Sequence, residues 1–147
     1  MRVALVTGGG SGIGRSAALE LNKIDFTVYV VGRREEELIK TSSLATNNNN
    51  KIIPLKTDIT IGSQVIALFD KIKSDHGRID LLFNNAGMGA PRVPIEELKE
   101  EDWRKTVDVN LTGSFLCSQQ AIKLMKNQSP QGGRIVNNGS VSAHSPR

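Results

Sequence analysis

The apolar positions fall into short continuous runs separated by longer stretches in which they recur every three or four residues. Val3-Ala4-Leu5-Val6 is the first run, the pattern of a strand buried on both faces. A glycine-rich turn, Thr7 to Gly14, follows, and Ile13, Ala17, Leu21 and Ile24 then recur at helical spacing. Phe26 to Val31 is apolar and β-branched, a second buried strand, and Glu35 to Ala45 reads as a helix with Leu38 and Ile39 inward. Asn47 to Asn50 is a polar turn, and Lys51 to Lys56 a third strand. Ser63 to Asp75 is helical with Val65, Ile66, Phe69 and Ile72 on one face, and Gly77 is its stop. Ile79 to Phe83 is a fourth strand, followed by a loop from Met88 to Pro94 punctuated by Pro91 and Pro94. Glu96 to Met125 is a long helical stretch, broken or bent near Asn110 to Gly113, with Val107, Leu111, Phe115, Ile122 and Met125 on its inward side. Ser129 to Gly133 is a turn, and Ile135-Val136 opens a fifth strand.

Strands thus alternate with helices along the chain. Consecutive parallel strands need crossovers, and right-handed crossovers place helices on both faces of the sheet. The expected architecture is an α/β doubly wound parallel sheet. At 147 residues, one domain spanning 1–147 is the expectation.

The first strand runs into Thr7-Gly8-Gly9-Gly10-Ser11-Gly12-Ile13-Gly14, directly before an amphipathic helix. Glycine allows torsions and close approaches that a side chain would block. At such a turn a pyrophosphate can sit on the free N–H groups and positive end of the helix. A merely tight turn is the competing explanation. The spacing is Thr-Gly-x-x-x-Gly-x-Gly, which differs from the usual dinucleotide fingerprint.

Further motifs follow in order: Asp58-Ile59 after the third strand, Asn84-Asn85-Ala86-Gly87 at the end of the fourth, Trp103 and Val109-Asn110-Leu111-Thr112-Gly113 in the long helix, and Gly133 to Ser140 around the fifth strand. With the glycine turn, this set resembles the short-chain dehydrogenase/reductase family over the whole chain. The resemblance implies a Rossmann-type sheet, a hydride transfer between NADP(H) or NAD(H) and a small carbonyl or alcohol, and homo-oligomers of the full-length form. It implies that Thr7, Gly8, Gly10, Ser11, Gly12, Ile13 and Gly14 hold the cofactor's phosphates. Asp58 would accept a hydrogen bond from the adenine, with Ile59 beside it. Asn84 and the Ala86-Gly87 backbone would line a cofactor ribose, part of that motif bracing the sheet. Asn110 and Ser140 would be the catalytic pair, Asn110 holding a relay water and Ser140 the substrate oxygen.

Each residue also has a plainer reading. Ser140 is a turn serine with Ser142 as a competitor, Asn110 a residue satisfying backbone groups at a bend, and Asp58 a cap for the next helix. Arg33 follows Gly32 at the end of the second strand. An acid there would repel a 2′-phosphate, whereas Arg33 offers a forked guanidinium, favouring NADP(H). Against this, Ser11 supplies no second basic contact, and Arg33 has Glu36 and Glu37 within reach as solvent-exposed partners.

The family's proton donor is a Tyr followed one helical turn later by a Lys, beyond Ser140. The sequence ends at Arg147 without them, and its single tyrosine, Tyr29, lies inside the second strand. The expectation is a chain incomplete at its C-terminus, truncated after the fifth strand and inactive alone. A short homologue that binds nucleotide or a partner without catalysis, and a scaffold without ligand, are the other readings.

Composition narrows these readings little further. Hydrophobic content of 38%, charged content of 23% and a net charge of +4 are those of an ordinary globular protein. The basic residues are mixed with acids, which disfavours nucleic acid as a partner. One cysteine, Cys117, allows no internal disulfide and suits a reducing compartment, so a cytoplasmic location is expected, with no membrane segment. His76 and His144 have no partners at ligand spacing, so no metal is expected, and no P-loop motif is present.

Overall fold

The computed structural model describes residues 1–47 and 49–145. Asn48, in the expected polar turn, and the terminal Pro146 and Arg147 lie outside them. The described residues form strands β1 (Arg2–Thr7), β2 (Phe26–Gly32), β3 (Ile52–Lys56), β4 (Leu81–Asn84) and β5 (Arg134–Asn137). The helices are α1 (Gly12–Lys23), α2 (Glu35–Ser43), α3 (Gly62–His76), α4 (Glu100–Val107) and α5 (Gly113–Asn127). The strands make one parallel sheet in the order β3-β2-β1-β4-β5. This is the doubly wound Rossmann-type order, and the direction of winding reverses between β1 and β4, where such sheets bind ligands.

Alternate residues of β1 enter two cores. Val3 and Leu5 join Tyr29 and Val31 beneath α3 and α5, against Phe69, Ile72 and Cys117. Ala4 and Val6 join Val28 and Val30 beneath α1 and α2, against Ala18 and Leu38. Both faces of β1 and β2 are dry, and each fully buried Val or Leu there contributes roughly 1.5–3 kcal/mol. Cys117 is wholly buried, which pushes its thiol up to about 12.

The helices turn differently from the periodic expectation. Ile13, Ile24, Ile39, Ile66, Leu111, Phe115 and Ile122 are all exposed. In their place α1 buries Gly14, Ala18 and Asn22, α3 buries Leu68 with Val65, Phe69 and Ile72, and α5 buries Gly113, Cys117, Ala121, Leu124 and Met125. Small residues let α1 and α5 lie close to the sheet. A Cβ on Gly113 would stand 2.7 Å from Ile59 Cδ1. The helix expected over Glu35 to Ala45 ends at Ser43. The stretch expected as one helix from Glu96 is a 3₁₀ turn (Ile95–Glu97), α4, a π-helical turn (Asp108–Thr112) and α5, so the irregularity falls at the expected bend. Gly77 ends α3 with a left-handed φ of 69°.

The fourth strand starts at Leu81, two residues later than its apolar run, because Ile79 has a different backbone partner. Gln128 accepts from Ile79 N (2.8 Å) and donates to Ile79 O (3.0 Å), completing a buried backbone pair without a strand. Asp80 then ties the base of the sheet together. Its Oδ2 accepts from Val3 N at 2.8 Å, its N–H donates to Val3 O at 2.8 Å, and its carbonyl accepts from Arg134 N at 2.9 Å. Burial alone would raise this carboxyl. The Arg78 guanidinium, 2.6 Å away, and the Val3 N–H outweigh burial and hold it below the ordinary carboxylate range.

Asp80→Ala is therefore expected to cost roughly 1.5–3 kcal/mol, read as a lower urea midpoint at unchanged slope. The carboxylate's contribution is complete above the unfolded-chain pKa of ~3.9 and is lost as pH falls through the lower folded value. Urea titrations of both proteins should converge in acid. Equal midpoints at neutral pH would remove Asp80 from this role.

Candidate functional site

The carboxyl ends of β1, β4 and β5 carry three loops that are bonded to one another. The glycine turn folds back over β2, with Gly8 N and Gly9 N donating to Val31 O at 2.8 and 3.2 Å. Gly8 has a φ of 66°, and a Cβ there would lie 2.9 Å from Ala86 Cα. A Cβ on Gly14 would lie 2.3 Å from Gly8 O, so α1 starts directly behind the turn only because that side chain is absent. Thr7, at the end of β1, is nearly fully buried, and its Oγ1 accepts from Asn85 N and Ala86 N, both at 3.0 Å. Asn85 Nδ2 donates back to Thr7 O at 3.0 Å, and Asn138 Nδ2 donates to Asn85 Oδ1 at 3.1 Å.

Two adjoining cavities open above this platform. The first, of about 310 Å³, is lined by Gly8, Gly10, Ser11, Arg33, Asp58, Ile59, Ala86 and Gly87 from the expected set, together with Arg34, Thr57, Asn85, Met88 and Val109. Thr7, Gly12, Ile13 and Gly14 form the turn and helix start beside it without lining it. Arg33 is in no ion pair among the described residues, with neither Glu36 nor Glu37, its expected alternative partners, and Glu37 pairs instead with Arg15 at 2.6 Å. Arg34 Nη2 donates to Ser11 Oγ at 3.1 Å. Ser11 thus brings a second arginine to the cavity although it carries no charge itself.

Asp58 does not cap α3, whose flanking residue is Ile61. Its Oδ1 instead accepts from Thr60 N (3.0 Å) and Thr60 Oγ1 (2.7 Å), closing a short turn, and its own N–H donates to Gln64 Oε1 at 2.7 Å.

The second cavity, of about 730 Å³, contains Asn110 and Ser140 and shares Asn85, Ala86, Gly87 and Met88 with the first. Ser140 is exposed, and its Oγ accepts from Ser142 N at 3.1 Å, capping a 3₁₀ turn (Val141–Ala143). Ser142 itself is not among the lining residues. Asn110 sits in the π-helical turn and holds the opposite loop with both amide atoms. Its Oδ1 accepts from Met88 N at 3.0 Å and its Nδ2 donates to Met88 O at 2.8 Å. Asn84, 4% exposed, lines the second cavity and donates to Asn137 Oδ1 at 2.9 Å and Ser118 Oγ at 3.0 Å. Its side chain braces β4 against β5 and α5, while Asn85, absent from the expected set, faces both cavities. Arg34 could have been found as the second half of an arginine doublet; nothing in the one-dimensional pattern separates Asn85 from Asn84.

A family model described as short chain dehydrogenase matches residues 2–147. The chain is 38% identical over 141 residues to a 3beta-hydroxysteroid dehydrogenase of Mediterraneibacter gnavus, covering 96% of this chain and 50% of that protein. Among solved structures it is similar to a metagenomic short-chain oxidoreductase in complex with NADP (TM-score 0.91, 27% identity, 99% of this chain and 65% of that one). It is similar also to an NAD+-bound xylitol dehydrogenase (TM-score 0.92, 29% identity, 99% and 55%). The chain spans about half the length of the curated relatives it matches.

The platform predicts a sharp contrast between glycines. Gly14→Ala forces a Cβ onto Gly8 O and should cost roughly 1–3 kcal/mol through overpacking. Gly62→Ala, at the start of α3 with open space around it, should be neutral or slightly stabilising. Chemical unfolding of both variants checks this, and equal effects would contradict the close approach.

Proposed function

The chain belongs to the short-chain dehydrogenase family, and from that premise we propose that it forms the nucleotide-binding part of an oxidoreductase acting between NADP(H) or NAD(H) and a small carbonyl or alcohol. The observation that carries this reading is the pair of adjoining cavities at the switch point of the sheet, one walled by the glycine turn, Arg33 and Asp58, the other by Asn110 and Ser140.

The first cavity suits a dinucleotide by its donors. The glycine turn ends at the N-terminus of α1, where free N–H groups and the helix dipole favour a diphosphate. Thr7 anchors the turn, Gly8 and Gly14 keep it thin, and Gly10, Ser11, Gly12 and Ile13 supply the backbone beside the phosphates. Asp58 and Ile59, in the wall of the first cavity, are the residues assigned to the adenine, and Ala86 and Gly87 line both cavities where they adjoin. Asn84 lines the second cavity with them. The bound dinucleotide would supply the hydride donor or acceptor. In the second cavity Ser140 is the hydrogen-bonding partner assigned to the substrate oxygen. Asn110 fixes the loop that faces it.

A carbonyl that gains a hydride also needs a proton. Tyr29, the one tyrosine, is wholly buried in β2 and lines neither cavity. Burial, and then its hydrogen bond to Asp75 Oδ2 at 2.5 Å, push its pKa upward, so it is no proton donor for this site. The 147-residue chain is accordingly expected to bind dinucleotide without turnover. Nicotinamide absorbance followed with aldehydes, ketones and alcohols tests this, and reproducible turnover by the purified chain would sink it.

The relatives bound to NADP and to NAD+ support a nicotinamide dinucleotide as ligand, and we assign the preference between the two to Arg33. A charge-assisted bond from its guanidinium to a 2′-phosphate would contribute roughly 1.5–3 kcal/mol, about a tenfold to hundredfold preference for NADP(H). The NADP(H) dissociation constant divided by that of NAD(H) should rise by that factor in Arg33→Ala. An unchanged ratio would place the discrimination elsewhere.

A further inference from the structure

Two carbonyl groups of the glycine turn are engaged by residues that do not line the first cavity. Arg15, on the first turn of α1, donates through Nη2 to Gly10 O and to Glu37 Oε2 (2.6 Å). Its Nε donates to Thr41 Oγ1 at 3.0 Å. Thr41 is wholly buried on α2, and its Oγ1 stands 2.9 Å from Gly9 O and 3.0 Å from Glu37 O. Accepting from Arg15 leaves the single hydroxyl proton for one of these two carbonyls. The turn and α2 also touch directly, since a Cβ on Gly10 would meet Glu37 Cβ at 3.1 Å.

The consequence follows from peptide geometry. In a trans peptide the C=O and N–H point in opposite directions. With the hydroxyl proton on Gly9 O, the nearer carbonyl, Thr41 holds Gly9 O and Arg15 holds Gly10 O, which turns the N–H groups of Gly10 and Ser11 the other way, and Gly10 and Ser11 line the first cavity. Without the clamp, glycine peptides flip at little steric cost, and a flipped unit would present a carbonyl oxygen to an anion. We propose that Arg15 and Thr41, steadied by Glu37, are positioning residues that lock the Gly9–Gly10 and Gly10–Ser11 peptides with their N–H groups toward a diphosphate.

This inference rests on the dinucleotide reading above. Its test uses two ligands on the purified chain: NADP+, which carries the diphosphate, and adenosine 2′-monophosphate, which does not. Calorimetric titration should show Arg15→Met and Thr41→Val raising the NADP+ dissociation constant about tenfold, while Thr41→Ser, which keeps the hydroxyl, restores it to within about twofold. Binding of adenosine 2′-monophosphate should stay within about twofold in all three, with circular dichroism confirming that each is folded. Unchanged NADP+ binding in folded Thr41→Val and Arg15→Met beside a binding wild type overturns the clamp alone. Equal losses for both ligands also overturn it, since they indicate a general structural role. A wild-type chain that binds no dinucleotide overturns the nucleotide reading and the clamp with it.

Discussion

The site depends on one absent side chain. The 2.3 Å that would separate a Gly14 Cβ from Gly8 O is far inside van der Waals contact, so α1 can rise directly from the end of β1 only with glycine there. That approach brings the positive end of α1 to the carboxyl edge of the sheet at its switch point. It also sets the height of the turn, which lets the loop after β4 come down onto it, with Ala86 against Gly8.

Above the last strand residues the backbone loses its sheet partners, and buried polar groups need replacements. Thr7 provides them for Asn85 and Ala86, Asn85 for Thr7, and Asn138 extends the chain of bonds to the loop after β5. Asn84 does the equivalent work one layer lower, between β4, β5 and α5. Asn110 closes the far side by holding Met88 with both ends of its amide. The loops that carry function are thus supported by side-chain amides and a hydroxyl, so the two cavities share one rigid floor.

The apolar surface left over has the same origin. A helix that must lie close to a sheet turns small residues inward, and α1 and α5 do so with Gly14, Ala18, Gly113, Cys117 and Ala121. Several larger apolar residues of α1, α5 and the π-helical turn before α5 face outward instead. Leu111 and Phe115 are 67% and 59% exposed, and Ala17, Leu21 and Ile24 border an open apolar cleft with Leu81, Phe83 and Val136.

The number of strands, the doubly wound parallel sheet, the glycine turn and the places of Asp58 and Ser140 beyond strands and of Asn110 at a helical bend were legible in the sequence alone. Each depends on local chemistry: a β-branched run buried on both faces, a turn only glycine can make, a polar residue where an apolar run stops. Tertiary structure decided whatever depends on a partner distant in sequence. Leu68 faces the core where Ile66 satisfies the same spacing, and Cys117 where Phe115 does, because the inward face is set by how closely the helix can approach the sheet. Ile79 leaves β4 because Gln128, remote in sequence, completes its backbone bonds. Asn84 braces β4 against β5 and α5 and reaches only the second cavity, whereas Asn85 lines both, because adjacent residues at the end of a strand point to opposite sides. Arg15 looks like a surface cation on an amphipathic helix until α2 packs beside it and gives its guanidinium the carbonyl of Gly10, the hydroxyl of Thr41 and the carboxylate of Glu37.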